Sequence, residues 1–192
     1  MDQPTADVFF QKKDIFQRCH SQYDISVLID THITKKNVEN QWHTDWGYDA
    51  YFSSYASNSK GVSILFKNTF EFKIHRDIKD KNGNFIILVI TVSDYRFTLV
   101  AVYGPNEDNP ECVSNLYSNM ILCENTSIIS VSDWNVVQNY EKDILNYVNQ
   151  NNHKSQETLY NIMNELDIHD NRRIQNPDVP RFSWRGPGGR GG

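Results

Sequence analysis

Residues 85–92, FIILVITV, and 95–103, YRFTLVAVY, are two apolar runs of strand length parted only by Ser93 and Asp94. So short a link forces the second run to turn back beside the first, as an antiparallel hairpin. The same pattern extends outward. YDAYFS (48–53), GVSILF (61–66) and FEFKIH (70–75) come before the hairpin, and Asp80-Lys81-Asn82-Gly83-Asn84 supplies a further turn. The middle of the chain therefore reads as consecutive hairpins. ISVLID (25–30) is a shorter strand that finishes in an acid, and SIISVSDWNVV (127–137) carries a strand that stops at Asp133.

Helical signals flank these strands. Residues 5–20 place Val8, Phe9, Ile15 and Phe16 on one face. Asn109 stands as an N-cap before Pro110, and Val113, Leu116, Tyr117 and Met120 follow at helical spacing. Leu159, Ile162, Met163 and Leu166 repeat that spacing later. Antiparallel strands mixed with amphipathic helices predict an α/β sandwich of sheets covered by helices. No internal repeat is visible, and the only low-complexity stretch is RGPGGRGG (185–192).

Composition narrows the class. With 39% apolar and 12% aromatic residues over 192 positions, the chain can bury a core, and disorder is excluded. A net charge of −5 argues against a protein that simply coats nucleic acid, but it suits a phosphoesterase that holds a divalent cation on carboxylates. Cys19, Cys112 and Cys123 form no CxxC pair, which points to a reducing compartment. The N-terminus lacks the order of a signal peptide, and FIILVITV is too short to cross a bilayer. The expectation is an intracellular protein, nuclear or cytoplasmic, with no membrane partner.

Chemistry-bearing residues gather at strand ends. Asp30, Thr31 and His32 follow the first strand; Tyr103, Gly104, Pro105 and Asn106 follow the hairpin; Asp133, Trp134 and Asn135 follow the last strand; Ser183 lies in a late F-S-W. Alternation along a strand lets Asp133 and Asn135 point to the same side. A carboxylate and an amide so placed can orient a water and hold a phosphate oxygen. Taken singly, an acid after a strand more often caps a loop, and a tyrosine before Gly-Pro-Asn is more often a half-buried core residue. The six histidines show no metal-like spacing, and neither G-x-S-x-G nor a Walker loop is present.

The order of these blocks is more specific than any one of them. D-T-H, G-V-x-I-L-F, Y-G-P-N, S-D-W-N, an amphipathic helix and F-S-W resemble the endonuclease/exonuclease/phosphatase superfamily, and within it the apurinic-like endonuclease domains of non-LTR (LINE-type) retrotransposons. The resemblance runs from about Ile25 to Trp184. It implies a four-layer αββα sandwich of the deoxyribonuclease type, lacking the first and last strands. The implied organisation is an N-terminal helical segment over 1–24, the partial domain over 25–184 and a flexible Gly/Arg tail over 185–192.

The resemblance also implies roles. Asp133 would orient or activate the attacking water, Asn135 would bind the scissile phosphate, and Tyr103 would stabilise charge developing on it. Asn106, Thr31 and Ser183 would lie on the substrate side. Asp30 would bind Mg2+ (or Mn2+) where the family uses glutamate. The implied reaction is hydrolysis of a DNA phosphodiester, leaving a 3′ hydroxyl able to prime a reverse transcriptase from a longer parent protein. Departures bear on activity. Asp30 is one methylene shorter than glutamate, and Ser132 and Trp134 replace Gly and Phe. No residue of 1–13 matches the family's opening asparagine strand, and no S-R-I-D or S-D-H block appears before Gly192. The expectation is weak or absent nicking by this chain alone. A non-catalytic nucleic-acid-binding remnant and a phosphatase of the same superfamily are the alternatives.

Overall fold

The computed structural model describes residues 15–19, 22–33, 36–55, 59–123, 126–139, 152–177 and 179. Residues 15–19 of the expected first helix are helical. The rest of that helix up to residue 14, Ser183 and the 185–192 tail lie outside the described residues. The chain divides into two compact units: Met1–Gly104 with Ser118–Trp134, and Pro105–Tyr117 with Asn135–Gly192.

The first unit contains two sheets. Strands β1 (Ile25–Ile29), β2 (Ala50–Ser53) and β3 (Val62–Phe66) form one, in the order β1-β3-β2. Strands β4 (Lys73–Lys79), β5 (Phe85–Val92), β6 (Tyr95–Tyr103) and β7 (Ser127–Asp133) form the other, in sequence order. All neighbours are antiparallel except β6 and β7, which run parallel from Phe97↔Ser127 to Tyr103↔Asp133. A parallel neighbour needs a crossover, and α2 (Pro110–Met120) with the 3-10 turn Ile121–Cys123 provides it. The two-residue link between β5 and β6 closes with Ser93 at φ +53.

Period-two alternation explains the layering. Val62, Ile64 and Phe66 of β3 pack with Ile86, Leu88 and Ile90 of β5 and with Leu99, Ala101 and Tyr103 of β6, so the two sheets meet face to face. Leu65, between them in sequence, faces the other way and joins Phe16, Ile33, Trp46 and Phe52. That second cluster seats residues 15–19 and α1 (Lys36–Trp46) on the outer face of the three-stranded sheet. Trp46 locks the contact by donating its indole N–H to the Phe66 carbonyl at 3.0 Å. The first unit thus has helix, sheet and sheet layers, and the α/β sandwich expected from the sequence is present.

Two local differences have physical causes. The expected strand over 70–75 begins instead at Lys73, because Phe70 and Phe72 stack against Phe66 rather than entering a ladder. Helix α1 escapes a periodicity reading because KNVENQWHTDW is mostly polar; its anchors are Trp42 and Trp46, each edge-on to Phe16.

The outer strands of the four-stranded sheet differ in character. Lys73, His75, Arg76, Asp77 and Lys79 crowd β4, which also has a register irregularity between Ile74 and Arg76. These are devices that blunt an open edge. Strand β7 lacks them and exposes Ile129 and Val131.

In the second unit, Asn109 caps α2 by accepting the Cys112 N–H on its side-chain oxygen at 3.1 Å. Helix α3 (His153–Glu165) buries Ser155, Leu159 and Ile162, and the Tyr117 hydroxyl donates to Glu165. Helix α4 (Asn171–Gln175) is capped by Asp170, which accepts from Arg173 N at 3.0 Å. Among the described residues, no helix is long and apolar enough to cross a membrane.

Leu88 is fully buried between the sheets, whereas Ile129 is 50% exposed. Leu88→Ala is expected to cost about 2–5 kcal/mol and Ile129→Ala less than about 1 kcal/mol in urea unfolding. Equal losses would contradict the layer assignment.

Candidate functional site

Strand direction brings five chain segments to one rim of the first unit. β1 and β3 are antiparallel, so the end of β1 lies beside the start of β3; β5 and β6 place the start of β5 beside the end of β6; and β7, parallel to β6, ends with it. Backbone hydrogen bonds join these ends in series. Thr31 N donates to Gly61 O at 3.1 Å and His32 N to Lys60 O at 2.9 Å. Gly61 N donates to Gly83 O at 3.1 Å, crossing from one sheet's loop to the other's. Tyr103 N then donates to Asn84 O at 2.7 Å, and Gly104 N to Asp133 O at 2.7 Å. The run extends from Asp30-Thr31 to Asp133 and passes through Tyr103.

The left-handed backbone at this rim accounts for several residue types. Gly61 and Gly83 have φ of +102 and +72, and Asp30, His32 and Lys60 also have positive φ. A side chain on Gly61 would place its Cβ 2.5 Å from Thr31 Oγ1. Gly104 is small for another reason: the Trp134 backbone lies against it, and a Cβ there would fall 2.0 Å from Trp134 O.

Asp30 has a double task. Its Oδ1 accepts the Lys60 N–H at 3.1 Å and meets His32 Nε2 at 3.0 Å, with the Asp30 side chain 43% exposed. Tyr103 is buried at the end of the inner apolar stripe, while Asp133 is exposed at the tip of β7. Asn84, which the sequence marks only as part of a turn, is buried; its N–H donates to Asp80 Oδ2 at 3.0 Å. Thr31 Oγ1 and Asn84 Oδ1 are buried and have no protein hydrogen-bond partner.

Those two oxygens and the Asp30 carboxylate are hard donors of the kind Mg2+ or Mn2+ takes. Among the described residues, no group of three or more His, Cys, Asp and Glu side chains could cage a metal. A cation held by one or two carboxylates that keeps most of its waters needs no such group.

Asn106 and Asn135 belong to the second unit. Asn106 is exposed; Asn135 is half-buried with φ +51. A single side chain joins their backbones there, because Asn152 Nδ2 donates to Asn106 O at 3.2 Å and to Asn135 O at 2.8 Å. The sequence reading missed Asn152, whose only local signal is a cap residue ahead of an amphipathic helix. Nearby, Asp108 accepts from Lys154 N at 3.2 Å and from Ser155 N and Ser155 Oγ, both at 2.8 Å. The Ser155 N–H, followed by the Ser155 hydroxyl and Lys154, holds the Asp108 carboxyl below its ordinary value against a smaller opposing effect of desolvation.

No protein-family model matches the sequence. Solved structures do match the fold. An AP endonuclease from Archaeoglobus fulgidus superposes with a TM-score of 0.69 at 14% identity, covering 96% of this chain and 76% of that one. The 3'-5' exonuclease NExo from Neisseria meningitidis gives 0.59 at 15% identity, covering 90% and 72%. The endonuclease domain of TRAS1, a telomere-specific non-LTR retrotransposon, gives 0.54 at 12% identity, covering 81% of this chain and 64% of that domain. The chain therefore shares the fold of these structures, and it spans between about two thirds and three quarters of them.

Gly104→Ala is expected to displace the Asp133-Trp134 backbone and lower stability by about 1–3 kcal/mol, read as a drop in urea midpoint. An unchanged midpoint would mean that the close approach is not maintained. Asp108 gives a pH test. Its folded pKa lies below the unfolded one, so the cap's stabilisation is present above the ordinary aspartate range and is lost as pH falls through the lowered value. The stability gap between wild type and Asp108→Asn should be constant above about pH 5 and shrink steadily in more acid solution. A gap independent of pH would contradict this.

Proposed function

We propose that the chain is a metal-dependent phosphodiester hydrolase acting on DNA, a nicking endonuclease domain of retrotransposon origin. The observation that carries this reading is the hydrogen-bonded rim that sets Asp30, Tyr103 and Asp133 along one end of the two sheets. The nuclease fold of the neighbours and the order of the sequence blocks support it.

In this reading Asp133, exposed at the end of β7, orients the attacking water and accepts its proton. The Tyr103 phenol donates to the phosphate oxygen on which charge grows, from a position fixed on both sides by the backbone. Asp30 would hold Mg2+ through Oδ2, since Oδ1 is engaged by Lys60 and His32. When bound, that ion neutralises phosphate charge. Asn135, two residues beyond Asp133 in the chain, keeps the phosphate-binding role implied by resemblance, and Asn106 and Thr31 keep theirs on the substrate side. Asp30, being short, is held close to the turn it closes, which favours a loosely bound cation and slow turnover.

Incubation of supercoiled plasmid with the protein and Mg2+ is expected to give slow conversion to nicked circles. Asp133→Ala should reduce the rate by at least about 100-fold, and Asp30→Asn should raise the Mg2+ concentration needed for half-maximal rate. Nicking that is equal in wild type and Asp133→Ala, or that persists in chelator, would refute the proposal. Turnover of a small phosphoester with DNA left intact would favour the phosphatase reading instead.

A further inference from the structure

We infer that Asn152 is a positioning residue, the clamp that fixes the spacing of Asn106 and Asn135. The inference rests on the nuclease reading for its catalytic consequence but not for its geometry, which lies wholly within the second unit.

Asn152 is 6% exposed, and one amide nitrogen reaches two carbonyls that are distant in sequence, those of Asn106 and Asn135. Two carbonyl acceptors require the NH2 side of the amide, so the orientation follows from chemistry. The backbone of Asn152 stands at φ 56, ψ 35, a left-handed conformation that asparagine adopts more readily than most residues. Both properties are needed at this position, and asparagine supplies both.

The neighbouring bonds show what the clamp completes. Asp108 ties the 106–108 segment to the first turn of α3 through Lys154 and Ser155. Gln156 Nε2 ties the 137–138 segment to the same turn, donating to Val137 O at 2.6 Å and to Gln138 O at 3.0 Å. Each of these side chains holds one segment. Asn152 holds both, and it does so at the two residues whose amides the nuclease reading assigns to the substrate. Its own amide is spent on backbone carbonyls, so it acts through Asn106 and Asn135 rather than on a phosphate.

Asn152→Asp and Asn152→Gly both remove the donor while leaving the left-handed backbone accessible. The aspartate keeps the shape but turns a carboxylate toward two carbonyls; the glycine keeps the left-handed backbone but has no donor. In both, amide hydrogen exchange in 106–109 and 135–139 is expected to rise at least about 10-fold, with β5 and β6 unchanged. In plasmid nicking, both should lower kcat about 10- to 100-fold while leaving the KM for plasmid and the half-saturating Mg2+ concentration unchanged. Exchange that stays at the wild-type rate in either segment of the glycine variant overturns the clamp, whether or not the chain nicks DNA. A wild-type kcat in both variants overturns the positioning role. Wild-type protein that fails to nick refutes the nuclease reading alone, and the exchange data then decide the clamp by themselves.

Discussion

The hydrogen bond from Gly61 N to Gly83 O joins the loop leading into β3 to the loop leading into β5, and so links the two sheets at one end. Apolar faces attract without direction, so the contact of Val62, Ile64 and Phe66 with Ile86, Leu88 and Ile90 does not by itself fix how the strand ends align. A directional bond between loops does. Once Gly61 meets Gly83, the in-sheet bonds carry the alignment outward to Asp30 on one side and to Tyr103 and Asp133 on the other.

That alignment strains the backbone. Asp30, His32 and Lys60 are side-chain-bearing residues in the left-handed region, where an ordinary residue pays about 1–2 kcal/mol. Such a conformation persists only when neighbours over-determine it. Here Thr31 N, His32 N and Lys60 N all find acceptors across the two loops, and the last of these is Asp30 itself. A short acid suits this position: one carboxylate oxygen closes the turn, and the side chain is still 43% exposed. A glutamate would place its carboxylate a methylene farther from the Lys60 amide. The short acid at position 30 and the left-handed turn are thus parts of one local solution.

The strands and the N-cap of α2 were legible because each is encoded locally. FIILVITV and YRFTLVAVY declare themselves by apolarity, and Asn109-Pro110 by cap chemistry. Helix α1 was not, because two tryptophans on a polar helix make a weak periodic signal and their partner Phe16 is remote in sequence. Of the candidate site, the residues at strand ends could be named from the order of blocks. Their connections could not. The Gly61–Gly83 bond spans 22 positions, and the Asn152 contacts span 46 and 17, so no local pattern announces them. His32 illustrates the same limit. Its spacing gave it no role, yet it lies 3.0 Å from the Asp30 carboxylate.

Tyr103 and Asp133 stand opposite each other in register and are held in different ways. The N–H groups of Tyr103 and Gly104 point to opposite neighbours, Asn84 toward β5 and Asp133 toward β7, so the backbone at Tyr103 is stitched on both sides. Its ring also ends the stripe of side chains packed between the sheets and inherits the rigidity of that core. Asp133 sits on the outer strand, exposed, fixed through its carbonyl and through the Trp134 backbone pressed on Gly104. A group that must meet developing charge works best immobile, because reorganisation at the moment of reaction costs rate. A carboxylate that must receive a proton from water works only where water reaches it. In the nuclease reading proposed above, the core-bound phenol and the solvent-facing acid divide those requirements between adjacent strand ends.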